Sequence, residues 1–390
     1  MLMTMLPTAA FAADGESTET GDSTTPEAAI YLDQQHGADD NDGLSKTTAV
    51  KTIEKANELA NEKNIKDICL SSFYQVTGTE TWDLGGKTLH RYGLGGYMIE
   101  LVSASASLTL SNIVIDGAEC TVDATHAAET DSIIKAANGG TIVLNSGAIL
   151  QNNKAMQFGS GILTNNRVNI TMEDGAIIRN NTNRNYELGG GILIGNGSTF
   201  TMNGNASITD NTAKNGGGVG VYSGATFEMN GNASITDNKA TTGNGGGVYE
   251  GGGTFNMSGG ASISRNEATT GNGGGVYVGG GVFTMSGGSI TSNHTANDTY
   301  GGGVYVDTHG TFNMSGGTIG GAAADKANKA KNGGGVYVSG GTFNMSGGSI
   351  TGNDSNGVFV WGNATFTVSG AATVKGNTRE GAASNVFLTG

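Results

Sequence analysis

Residues 273–293 read GGGVYVGGGVFTMSGGSITSN, and three short segments of this kind recur in fixed order along much of the chain. The first is GGGVYV at 273–278. The second is cleanest as GTFNMSGG at 310–317, the third as SITGN at 349–353. One phenylalanine marks the spacing, at Phe200, Phe227, Phe255, Phe283, Phe312, Phe343 and Phe366, in steps of 27, 28, 28, 29, 31 and 23 residues. Two residues later stand Met202, Met229, Met257, Met285, Met314, Met345 and then Val368. The variable lengths fall after the third segment, as in 320–332, and insertions confined to one corner are what stacked coils tolerate.

Each segment alternates. In T-F-N-M-S the Phe and Met point one way and the polar residues the other, which is the period of a strand. In S-I-T only the isoleucine points inward (Ile208, Ile235, Ile263, Ile290, Ile319, Ile350). In G-V-Y-V the valines point inward and the tyrosine outward. No stripe of period 3.6 exists, and glycine would weaken every helical turn. Three short strands per coil, joined by glycine-rich corners, predict an all-β chain: a right-handed, single-stranded parallel β-helix whose coils lie about 4.8 Å apart. Degenerate copies at 108–117, 132–153 and 159–181 carry the pattern back, giving roughly ten coils and a rod of about 50 Å. Asn211, Asn238, Asn266, Asn293, Asn353 and Asn377 end the third strand. They are expected to stack at a corner, to hydrogen-bond along the axis and to take left-handed backbone.

The ends differ from the repeat. Residues 1–13 (MLMTMLPTAAFAA) close on an A-x-A pattern and read as the tail of a signal peptide. Residues 14–28 form an acidic, Ser/Thr-rich linker with nothing to bury. Residues 29–107 are expected to supply a cap and the first strands, and 108–390 the repeats, which are expected to continue past Gly390. The segment 48–64 (TAVKTIEKANELANEKN) predicts one helix with an apolar stripe of Val50, Ile53, Ala56 and Ala60, Thr47 or Thr48 as N-cap, and a capping role at the N-terminal end. The two cysteines, Cys69 and Cys120, permit a bridge or two buried thiols.

Of 390 residues 14% are charged, 36% are hydrophobic and 69 are glycine, a composition that folds only because a repeat buries a thin continuous core. The net charge of -14 argues against nucleic acid and anionic membranes as partners. No run of about 18 apolar residues is present to insert in a membrane.

Two resemblances emerge. Residues 31–64 (YLDQQHGADDNDGLSKTTAVKTIEKANELANEKN) look like the N-terminal segment of pectate-lyase-like β-helix proteins. The repeat GGGVYV…GTFNMSGGSITGN is similar to those of adhesin-like surface proteins of Gram-positive gut bacteria, with a looser relative in the polymorphic outer-membrane proteins of chlamydiae. These resemblances imply export, and they leave activity open, since one fold hosts lyases, hydrolases and binding proteins.

An enzyme of this kind would act on polysaccharide. A hydrolase needs two carboxylates about 5 to 9.5 Å apart, and the resemblance implies for a lyase a calcium site and a basic residue. The best pair is Asp210 and Asp237, in the same position of adjacent coils, with Arg265 next in line; a structural corner fits them better. Glu250 replaces an inward valine and is expected to turn outward, because a buried carboxylate is costly. Asp307 and His309 with His294 make a loose cluster. Residues 39–43 (DDNDG) resemble a calcium loop in composition but lack its closing glutamate. No catalytic residue, metal site or cofactor is assigned.

The outward column is the stronger signal. Leu163, Leu193, Gly220, Tyr249, Tyr277, Tyr305, Tyr337 and Phe359 share one position, with Trp361 two residues beyond. Stacked aromatics bind sugar rings or anchor protein interfaces, and also stabilise sheets by cross-strand contact. Tyr249, Tyr277, Tyr305, Tyr337, Phe359 and Trp361 are therefore the candidate ligand-binding residues. The reading is a secreted or cell-surface, adhesin-like protein that binds an extracellular glycan or a host or microbial surface protein without catalysis. A polysaccharide lyase or hydrolase is the alternative, and a passive stalk the second.

Overall fold

The computed structural model describes residues 28–120, 130–156, 159–184, 188–296 and 299–389. The expected leader, and the acidic linker apart from Ala28, lie outside these residues. From Ala29 onward, short strands pair in parallel with the equivalent strand one coil away. The product is an all-β parallel solenoid of about 11 turns.

One coil shows the construction. Val276–Val278 belongs to a 12-stranded sheet, and Val282–Met285 and Ser289–Thr291 to a 22-stranded sheet. A two-residue strand, His294–Thr295, adds a fourth side that alternation could not reveal, because two residues are too few to show a period. The register places like on like: Phe283 pairs with Phe312, Met285 with Met314 and Ile290 with Ile319. The phenyl rings from Phe200 to Phe366 form one stack, with centroids 4.6 to 5.0 Å apart. The Phe, Met and Ile columns share a single buried core with the inward valines. Each large apolar side chain so buried contributes about 1.5–3 kcal/mol.

The asparagines form a second, polar spine. Asn153, Asn181, Asn211, Asn238, Asn266, Asn293, Asn328, Asn353 and Asn377 are all buried. From Asn181 to Asn353, each donates both its backbone N–H and its Nδ2 to Oδ1 of the asparagine in the next coil. For Asn238 and Asn266 the distances are 2.9 and 3.0 Å. The same Nδ2 donates back to a carbonyl one coil earlier, Ile208 for Asn238. At the N-terminal end, Oδ1 of Asn153 accepts from the buried Arg91 guanidinium at 3.2 Å. The axial bonding is as expected. The left-handed backbone is one residue earlier, at Asn180, Asp210, Asp237, Arg265 and Ser292, with φ between 56 and 61°. That residue makes the bend, so the asparagine after it can point inward. Asn328 escaped the sequence reading because an inserted stretch separates it from its strand.

The N-terminal cap differs in detail. Helix α1 spans Ile53–Glu62, with Thr52 rather than Thr47 or Thr48 as N-cap. The Asp39 carboxylate accepts the N–H groups of Lys51 and Thr52, each at 2.9 Å, and keeps that stretch extended. A 3₁₀ turn at Lys46–Thr48 precedes it. Val50 is buried ahead of the helix, bridged to Leu32. The helix buries Ile53, Ala56, Leu59 and Ala60 over the first strands of the solenoid. Cys69 and Cys120 are joined in a disulfide, with Cα atoms 6.0 Å apart.

Candidate functional site

The outward column exists in the register expected. Leu163, Leu193, Gly220, Tyr249, Tyr277, Tyr305, Tyr337 and Phe359 pair in turn across successive coils. The tyrosine rings from Tyr249 to Tyr337 lie within 10° of parallel, with centroids 5.1 to 5.3 Å apart. They lie outside the lumen and yet are largely covered: Tyr277 is 7% exposed, Tyr305 8%, Tyr337 5% and Phe359 4%. Alternation told inward from outward and was silent about coverage. Each ring uses its faces on its neighbours, and glycines flank it. A Cβ at Gly279 would sit 2.9 Å from Tyr277 Cε1, and one at Gly301 2.8 Å from Tyr305 Cβ. Tyr300, absent from the sequence candidates, stacks on Tyr337 at 4.7 Å.

The column therefore presents edges and hydroxyls. The Tyr277 hydroxyl donates to the Asp307 carboxylate. Burial, and then Asp307, push that phenol far above its ordinary range, and burial pushes Tyr337 up to about 12. Both remain neutral donors at physiological pH. Trp361 is the open member of the set, 55% exposed, with its ring 6.4 Å from that of Phe359.

The acidic candidates are committed to structure. Arg265 grips Asp237 with two hydrogen bonds, 2.9 and 2.7 Å long, while Asp210 accepts from the Thr209 hydroxyl. Glu250 does not turn outward. It keeps the inward register between Val221 and Val278 and is fully buried. Its carboxylate accepts the N–H groups of Gly252, Gly253 and Gly281, which replace the water it gives up. Burial raises its pKa, and these N–H groups oppose the rise. His294 faces Glu267 on the six-stranded sheet, on a different side of the coil from Asp307 and His309. In the 39–43 loop, Asp39 holds the start of the helix and Asp42 accepts from Thr48 and Leu44. Among the described residues no group of three or more His, Cys, Asp or Glu side chains is placed to hold a metal ion.

One opening escaped the sequence reading. Where the 12-stranded sheet turns into the next strand, the earlier coils enclose a groove of about 900 Å³, lined by Asn138, Asn166, Arg167 and Asn196 among others. It shares Asn166 and Asn196 with a smaller hollow of about 260 Å³ under Leu163, Leu193 and Tyr222. Tyr222 is 44% exposed, the most open tyrosine of the described chain. In the next two coils the same corner is glycine, at 251–253 and 279–281. The signal was there, in the corners that break the repeat.

No protein-family model matches this chain, and no curated protein matches it. No helix among the described residues is long and apolar enough to cross a membrane.

Proposed function

We propose that the chain is an exported, adhesin-like display rod that holds an extracellular glycan, or a surface protein of host or microbe, against its outer wall and releases it unchanged. The observation that carries this reading is the outward column from Tyr249 to Phe359 and on to the exposed Phe387. It repeats one side-chain position at a pitch of about 5 Å, with the exposed Trp361 indole two residues along the strand from Phe359. A surface of constant pitch suits a linear or repetitive partner, which meets the same edge in every coil. The Cys69–Cys120 bridge fits an oxidising compartment. The commitment of Asp237 to Arg265 and of Glu250 to backbone amides weighs against acid chemistry at those residues.

The test incubates residues 28–390 with a panel of host and plant polysaccharides and reads size-exclusion profiles. Co-elution with an intact polymer, weakened by Trp361→Ala, is the expected result. Trp361 is the cleaner probe, since Tyr277 and Tyr305 are buried and their loss would disturb the stack. A polymer that shrinks would replace this reading with a polysaccharide lyase or hydrolase. A panel of glycans and surface proteins that leaves the profile untouched would favour a passive stalk.

A further inference from the structure

The wall that carries the ring column carries a second column beside it. Two residues past the outward position, successive coils place Tyr222, Gly251, Gly279, Asp307, Ser339 and Trp361. Two of these are aromatic and the rest are short. Tyr222 and Trp361 are also two of the three exposed aromatic side chains among the described residues, 44% and 55% open, and the third, Phe387, stands on the same wall. Large apolar side chains left open together on one face mark an interface.

The spacing of the two aromatics points to the partner. Five pairings separate them, from Gly220 through Tyr249, Tyr277, Tyr305 and Tyr337 to Phe359. They therefore stand about 24 Å apart along the axis. The stacked rings between them lie within 10° of parallel, which keeps the line straight. A second copy can be turned end for end and laid on this wall, with a two-fold axis midway, between Gly279 and Asp307. Each Trp361 then meets Tyr222 of the other copy, and both contacts form at once. A two-fold interface has this self-complementarity: residue i meets j, and j meets i. In the same register Gly251 faces Ser339 and Gly279 faces Asp307, so a glycine lets the two copies approach at each inner rung.

Three further observations fit a copy of this chain. The first is a socket. Beside Tyr222 lies the hollow of about 260 Å³, lined by Leu163 and Leu193, with room for an indole. The second is charge. At a net charge of -14 two copies repel each other, and pairing needs a wall free of like charges. From Leu193 to Phe387 the two columns hold one charged side chain, Asp307. It accepts from the Tyr277 hydroxyl and, end for end, faces a glycine rather than its own copy. The third is area. The overlap from Leu193 to Phe387 runs seven coil steps, about 34 Å. At a width of about 24 Å, the reach of seven extended residues, it comes to the roughly 800 Å² per partner of a stable interface.

We infer that two copies of the chain pair end for end along this wall, each seating its Trp361 indole in the hollow beside Tyr222 of the other. The inference goes beyond the display reading by giving the wall a second occupant, and different measurements decide the two.

Sedimentation equilibrium of the chain decides it, at concentrations up to about 100 μM, above the weakest affinities such an area gives. The mass is expected to double. Trp361→Ala and Tyr222→Ala change exposed side chains and leave the core alone. Each should weaken pairing roughly thirtyfold or more. The double variant should lose little more than either one, because the two side chains make one contact. Register is read by cross-linking, since Cys69 and Cys120 are already joined. Tyr222→Cys chains mixed with Trp361→Cys chains should form a disulfide-linked pair under mild oxidation. Neither should link to itself, because two copies of one thiol then stand about 24 Å apart. A monomer mass at every concentration, a dimer indifferent to both alanine variants, or either cysteine variant linking to itself would overturn the pairing. A monomer that co-elutes with a polymer, and loses it in Trp361→Ala, would give the wall to the glycan, ending this inference while the display reading stands. A dimer of the expected register that holds nothing in the panel of glycans and surface proteins would do the reverse.

Discussion

Asn266 shows how much one side chain carries in this molecule. Its Oδ1 accepts two hydrogen bonds from Asn238, and its Nδ2 donates to Ile235 O and to Asn293 Oδ1. Asn266→Ala strands several buried donors and acceptors at about 1–3 kcal/mol each. A loss of at least about 3 kcal/mol is therefore expected in urea unfolding, and a loss under 1 kcal/mol would deny the spine its role. Glu250 makes a pH prediction. Its folded pKa is raised above the ordinary 4.5, burial being the larger cause, so above 4.5 the native state holds more protons than the unfolded chain. Stability should fall as pH rises from 4.5 through the raised value. In Glu250→Gln that fall should be absent, and parallel urea midpoints from pH 4 to 8 in both proteins would refute the linkage. The sequence showed Glu250 as an anomaly. It could not show that glycine amides, freed of side chains, would close around it.

Among the elements, the outward strand and its glycines belong together. The triple glycine before each tyrosine, with Gly251 after Tyr249 and Gly279 after Tyr277, makes a trough in which a ring lies flat, and at Gly301 both the contact and a φ of 69° exclude a side chain. Alternation identified the tyrosine position and the repeat identified the glycines, but the fit between them depends on how a corner folds back, which no period encodes. The disulfide staples the least repetitive part. It joins Cys69 in the strand Asp67–Leu70 to Cys120, just beyond the strand Ser107–Glu119, across 51 residues. Closing a loop of that length is worth about 4 kcal/mol on chain-entropy grounds. The paired change Cys69→Ser with Cys120→Ser should lower the unfolding free energy by about 2–4 kcal/mol. An unchanged midpoint, equal to that of the reduced wild type, would show that packing of Tyr31 and Tyr92 around the bridge suffices.

At the scale of the whole molecule, each coil touches its neighbours and little else, so stability is close to a sum of coils and interfaces. Phe283 stacks between Phe255 and Phe312 in mid-rod, fully buried. Phe283→Ala opens a cavity worth about 3–5 kcal/mol. It is expected to split unfolding into two steps, with the helix-capped N-terminal coils melting last in hydrogen exchange. A single unaltered transition would show that the rod is more cooperative than its contacts suggest. The architecture was legible because a period announces what repeats. The same period hid the groove, whose lining departs from the later repeats, and it hid the coverage of the tyrosines.

The asparagine spine also has a polarity. Every carboxamide oxygen faces the preceding coil and every pair of donors faces the following one, down to the Arg91 guanidinium that terminates the oxygen end. Each finished coil thus holds out two donors that the next coil takes over from water. A chain threaded through a membrane pore with its N-terminus leading would meet those donors in sequence, each coil seating on the one already formed. The spine would then act as a ratchet, drawing the polypeptide outward by folding it.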